Sequence, residues 1–186
     1  MFIQVEPTPN PLTLKFLPGR TVTKGGTIFY QNESEVLNSP FAKRMFAVDG
    51  VNSVFFGSDF ITITKDEDLD WQVLKPMVLG AIADHYNSGE ETVIETPDLK
   101  KSEELNENDS DIVKQIKELL DTRVRPAVAM DGGDIVYKKF EKGIVYLHMQ
   151  GACSGCPSST ATLKAGIENM LKHYIPEVKE IRPIDG

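Results

Sequence analysis

Residues 88–110 read SGEETVIETPDLKKSEELNENDS, and this stretch decides how the chain is organised. It holds no aromatic residue and few large apolar ones, and it sets 2 basic against 8 acidic side chains. Such a segment cannot bury enough surface to offset the entropy of ordering it. An acidic flexible linker is therefore expected, with only the apolar pair Val93–Ile94 able to dock locally. Two small domains follow, one over residues 1–87 and one over 111–186, and the expected fold class is α+β for both.

Outside the linker the charges nearly balance. Residues 1–87 carry 7 basic and 10 acidic side chains, and residues 111–186 carry 11 and 10. This excludes both a polyacidic surface and an extended basic face for nucleic acid. Hydrophobic residues make up 40% and charged residues 26% of the 186, an ordinary globular composition. No apolar run approaches the roughly 20 residues that cross a bilayer. The opening MFIQVEPTPNPLTLKF shows neither a basic-then-apolar signal nor an Arg- and Ser-rich leader. The expected location is a bacterial cytoplasm, with the mitochondrial matrix as the alternative.

In the first domain, Phe2–Glu6 and Leu12–Phe16 read as strands separated by the break Thr8-Pro9-Asn10-Pro11. Ser39-Pro40 is a helix start, a capping side chain followed by proline at the first position, for a helix over Phe41–Phe46. Val51–Phe56 and Phe60–Thr64 form a hairpin around Gly57-Ser58-Asp59. Trp71, Leu74, Val78, Ala81, Ile82 and His85 recur with helical period, and Pro76 kinks that helix or marks its regular start.

In the second domain, Ile112, Val113, Ile116, Leu119 and Leu120 line a helix capped by Asp109 or Ser110, which Pro126 ends or bends. Asp131-Gly132-Gly133-Asp134 makes a reversal, and Ile135–Phe140 and Ile144–Met149 a hairpin. A helix then carries Leu163, Ile167, Met170, Leu171 and Tyr174 inward until Pro176, and Val178–Ile181 returns as an edge strand.

The chemistry lies in Gly151-Ala152-Cys153-Ser154-Gly155-Cys156-Pro157. Cys153 and Cys156 are the 2 cysteines of the chain, spaced as CxxC, which argues against a secreted disulfide framework. They sit where a strand gives way to a helix, so free amides and the helix dipole are expected to lower the thiol pKa. Thiolates serve both metals and redox chemistry, so the local physics leaves the use open. A thioredoxin-like dithiol belongs beside a βαβ unit, and here a hairpin precedes the motif. Zinc and iron–sulfur clusters commonly take four protein ligands, and one chain offers two. Two copies about a two-fold axis supply the other pair. Counting does not separate zinc from iron.

The run Met130–Val178 resembles the C-terminal domain of NifU/Nfu-type iron–sulfur cluster scaffolds. The matching marks are Asp131-Gly132-Gly133-Asp134, Gly151, Cys153-x-x-Cys156-Pro157-Ser158-Ser159, Thr162-Leu163-Lys164, Ile167-Glu168 and Tyr174-Ile175-Pro176-Glu177-Val178. Residues 1–87 resemble the N-terminal Nfu domain through Thr8-Pro9-Asn10-Pro11, Ser39-Pro40, Asp49-Gly50-Val51 and Asp70-Trp71. The resemblance implies a non-enzymatic carrier. It would hold a [4Fe–4S] cluster between two protomers through Cys153 and Cys156 of each, taking it from a cluster donor and delivering it to apo iron–sulfur proteins. The rivals are a dithiol-disulfide oxidoreductase and a zinc-bridged structural dimer.

Other residues read more plainly. His148, five residues before Cys153, is expected to be a half-exposed packing residue at a strand end rather than a ligand, and His85 and His173 lack ligand spacing. Asp131 and Asp134 flank a glycine turn rather than form an acid–base pair. Lys24-Gly25-Gly26-Thr27 lacks the full phosphate-loop pattern.

Overall fold

The computed structural model describes residues 1–93, 109–155 and 157–184, with the side chains of 157–159 left aside. Internal contacts divide the chain into two units, Met1–Leu99 and Lys100–Gly186.

In the first unit, β1 (Gln4–Pro7), β2 (Thr13–Leu17), β3 (Ile28–Tyr30), β4 (Val51–Phe56) and β5 (Ile61–Lys65) form one antiparallel sheet. Their order is β1-β2-β5-β4-β3. Alternation sends Phe16, Val54, Phe56, Ile61 and Ile63 to one face, against α1 (Pro40–Phe46) and α2 (Trp71–Ser88). Each such large side chain contributes about 1.5–3 kcal/mol when fully buried. Ser39 caps α1, accepting the Ala42 N–H at 3.0 Å. Asp70 caps α2, accepting the Gln72 N–H at 2.8 Å. Regular helix thus begins at Trp71, and Pro76 lies inside it rather than at its start. The strand β3, three residues long, was not foreseen, because it offers too few positions to show a period.

The start of the expected linker is packed. Glu90 pairs with Arg44 at 2.9 Å, Ser39 Oγ donates to the Thr92 carbonyl, and Val93 lies against the core of this unit. Residues 94–108, with Ile94, lie outside the described residues. Asp109 reaches Lys117 at 2.6 Å in the following helix.

The second unit opens with α3 (Asp111–Leu119), where Ser110 accepts the Val113 N–H at 3.4 Å. A π-helical turn over Leu120–Val124 leads directly into α4 (Arg125–Met130). Pro126 therefore does not end the helix. It has no N–H to donate and its ring crowds the carbonyl of Thr122, and the turn ahead of it widens.

The strands β6 (Gly133–Glu141) and β7 (Ile144–Gly151) form the hairpin, α5 (Pro157–Tyr174) follows, and β8 (Glu180–Pro183) closes a sheet ordered β6-β7-β8. β8 is parallel to β7, with Val145 opposite Ile181. Cys153 thus stands at the head of a β7–α5–β8 crossover. The preceding hairpin hid this, and the absence of a βαβ unit no longer counts against a dithiol. Ile116, Leu120, Ile135, Val145, Leu147, Leu171 and Ile181 make the core between helices and sheet.

Candidate metal centre

The loop that carries the site is wound by its own glycines. Gly132 and Gly151 hold φ of 83° and 62°, backbone that an L side chain rarely adopts. The Ala152 N–H donates to the Gly132 carbonyl at 3.1 Å, Cys153 N–H to Gln150 at 3.3 Å, and Ser154 N–H to Gly151 at 3.1 Å. Thr160, in the first turns of α5, donates its hydroxyl to the Cys153 carbonyl at 3.3 Å. Strand end, loop and helix start are thereby tied at Cys153.

Cys153 is a free thiol, 6% exposed, and part of the core of its unit. Gly133 packs on it so closely that a Cβ at residue 133 would stand 2.5 Å from Sγ. Cys156 lies outside the described residues, so the structure presents one half of the pair.

The expectation of a lowered thiol pKa is overturned for Cys153. Burial comes first, and the carboxylates of Asp131 and Asp134 add repulsion, pushing the thiol up to about 12. The helix dipole acts on groups within its first turn, whereas Cys153 precedes Pro157 by four positions and sits away from water. Without metal this sulfur is a protonated, shielded thiol. A cation that replaces the proton makes it a thiolate ligand.

The residues around it sort themselves. Asp134 is buried and serves neither as turn filler nor as an acid–base group. Both of its oxygens are held by Arg125, at 2.9 Å from Nε and 2.7 Å from a terminal nitrogen. Asp131 stays exposed at the reversal. His148 packs within β7 with Nδ1 3.3 Å from the Gln150 side-chain amide, and it is buried rather than half-exposed at a strand end. His85 is stacked on Phe41 in the other unit, far in sequence from the cysteines. The sequence reading missed Arg125 altogether, since a partner nine positions away across a helix end and a turn leaves no periodic trace.

Family models match both ends of the chain. Residues 3–89 match the model described as scaffold protein Nfu/NifU N terminal, and residues 116–182 match the NifU-like domain. NifU-like protein 4, mitochondrial, of Arabidopsis thaliana is 52% identical over 190 residues, covering 100% of this chain and 67% of the relative. The human NFU1 iron-sulfur cluster scaffold homolog, mitochondrial, is 50% identical over 185 residues, covering 99% and 72%. The chain belongs to the Nfu/NifU scaffold family.

With that membership, the α+β architecture of both units and the iron–sulfur scaffold class stand together. NifU-like protein 5 of Arabidopsis thaliana, 51% identical over 190 residues, is also named mitochondrial. These names overturn the expected bacterial cytoplasm. That expectation leaned on the opening residues, which carry no such information. In this Nfu/NifU chain the CxxC sequence belongs wholly to the second domain, and the first brings no cysteine.

Proposed function

We propose that this Nfu/NifU chain is a carrier, without catalytic activity of its own. It binds a [4Fe–4S] cluster between two protomers through Cys153 and Cys156 of each and hands it to apo-proteins. Names of relatives support a mitochondrial matrix setting. The observation that carries the reading is the CxxC thiol of Cys153, buried at the head of α5 within the span that matches the NifU-like domain. A sulfur of this kind is a poor attacking nucleophile, which weighs against the dithiol rival.

The cargo would be surrendered by exchange of thiol ligands. In ligand exchange a client thiol binds iron, the bond between iron and Cys153 breaks, and the client's proton ends on Cys153. No electron is transferred. Two thiols per chain against the four that a cubane commonly takes make the two-protomer arrangement the natural one.

Anaerobic loading with ferrous iron and sulfide tests this. The expected product is a brown dimer with about four irons per two chains, lost in Cys153→Ser and in Cys156→Ser. A colourless dimer that takes up one zinc would replace the reading with the structural one. A monomer that cycles an internal disulfide would replace it with the dithiol one.

A further inference from the structure

Arg125 ties the helical layer of the second unit to the strand that supports Cys153. It is the first residue of α4, directly after the π-helical turn. Its Nε donates to Asp134 Oδ1 at 2.9 Å, one terminal nitrogen to Asp134 Oδ2 at 2.7 Å, and the other to Asp121 Oδ1 at 3.2 Å. Oδ1 of Asp134 also accepts the Ile135 N–H at 2.8 Å. The Asp134 side chain is 4% exposed and that of Arg125 21%. A carboxylate so far from water is tolerable only with this two-pronged partner.

Asp134 is one residue from Gly133, the backbone against which Cys153 Sγ is seated. In the β6–β7 ladder Gly133 lies opposite Gly151 and Asp134 opposite Gln150, so the ion pair fixes the strand ends from which the cysteine loop departs. The loop adds its own bond from the Ala152 N–H to the Gly132 carbonyl. From guanidinium to thiol, the path is an ion pair, one peptide unit and a van der Waals contact.

We propose that Arg125, acting through Asp134, is a positioning residue for Cys153 that fixes the sulfur where a shared iron has to meet it. This rests on the carrier reading. A support that orients a ligand in this indirect way typically changes metal affinity by about tenfold or more when removed.

The test uses the full chain as wild type, Arg125→Met, Arg125→Lys and the double variant Arg125→Met with Asp134→Leu. Each is loaded anaerobically with ferrous iron and sulfide, and the half-life of the brown absorbance is followed after adding a chelator. Thermal midpoints and the iodoacetamide rate of Cys153 at one fixed pH are measured on the metal-free forms, the latter in a Cys156→Ser background.

Arg125→Met is expected to shorten the half-life about tenfold and to speed alkylation, and Arg125→Lys, with one prong left, to recover part of both. The double variant removes the stranded buried charge, so its thermal midpoint returns toward wild type while the half-life stays short. A double variant that regains both midpoint and half-life would show a merely structural pair and overturn the proposal. So would an Arg125→Met half-life equal to wild type. If wild type itself takes up no iron, the carrier reading fails separately. The alkylation rate of Arg125→Met then decides alone: the Asp134 carboxylate remains and by its charge would slow the reaction, so faster alkylation supports the positioning role and an unchanged or slower rate overturns it.

Discussion

Gly133 is in direct contact with Cys153, its missing Cβ position lying 2.5 Å from Sγ and 2.8 Å from the Gln150 carbonyl. The Gln150 carbonyl and the Cys153 amide, 3.0 Å away, are backbone, so an added methyl group has only the cysteine loop to push aside. Gly133→Ala is expected to displace the cysteine loop and to shorten the lifetime of a loaded cluster by about tenfold, while far-ultraviolet circular dichroism stays near wild type. Equal cluster lifetimes in alanine and glycine forms would show that the contact does not set the sulfur's place.

The free thiol offers a second check. With Cys153 pushed up to about 12 by burial and by Asp131 and Asp134, its thiolate fraction at pH 8 is minute. In a Cys156→Ser background, iodoacetamide is expected to react with the folded protein at least about 100-fold more slowly than with the same protein in guanidinium. The folded rate should still be climbing at pH 10, where an ordinary thiol has levelled off. A folded rate that plateaus near pH 8.5 would contradict this.

His85 gives the first unit a pH dependence of predictable sign. Its ring lies 3.9 Å from that of Phe41 and nearly parallel, and neither ring nitrogen has a hydrogen-bond partner among the described residues. Burial, with the nearby Arg44 charge, lowers its pKa, and Glu90 opposes in part. The unfolded chain takes up a proton near pH 6.5 and the folded one does not, so stability is full above that value and declines as pH falls below it. The slope is bounded at about 1.4 kcal/mol per pH unit. Urea titrations from pH 7.5 to 5.5 should show the decline in wild type and a flatter profile in His85→Leu; parallel profiles would refute it.

Ser39 holds two structures at once. Its oxygen accepts the Ala42 N–H at the start of α1, and its hydroxyl donates to the Thr92 carbonyl. Ser39→Ala is expected to cost about 0.5–2 kcal/mol, the range for losing a helix cap. It should also free the chain after α2, so limited proteolysis near residues 90–93 should quicken relative to wild type. Unchanged stability together with unchanged cleavage would count against both roles.

Much of this was legible beforehand, and for local reasons. Ser39-Pro40 announced α1, and the spacing of Leu74, Val78 and Ile82 announced α2, because caps and periods are written in adjacent residues. Val51–Phe56 was read with its observed ends. The cysteine loop was found by its spacing, but its electrostatics were read with the wrong sign. A helix dipole can be inferred from position in the chain, whereas desolvation depends on which distant residues close over the sulfur. The parallel return of β8 was hidden for the same reason, since strand direction is set by where α5 delivers the chain.

By itself the sequence determined the family and the helices and strands with marked periods or caps, and it singled out the CxxC pair as the candidate ligands. Those features live in composition and in neighbours a few positions apart. Only the tertiary structure decided that Cys153 is a buried, protonated thiol seated on Gly133, and that Arg125 reaches across to Asp134. Each of these depends on exclusion of water and on contacts between segments separated along the chain, which no local pattern encodes.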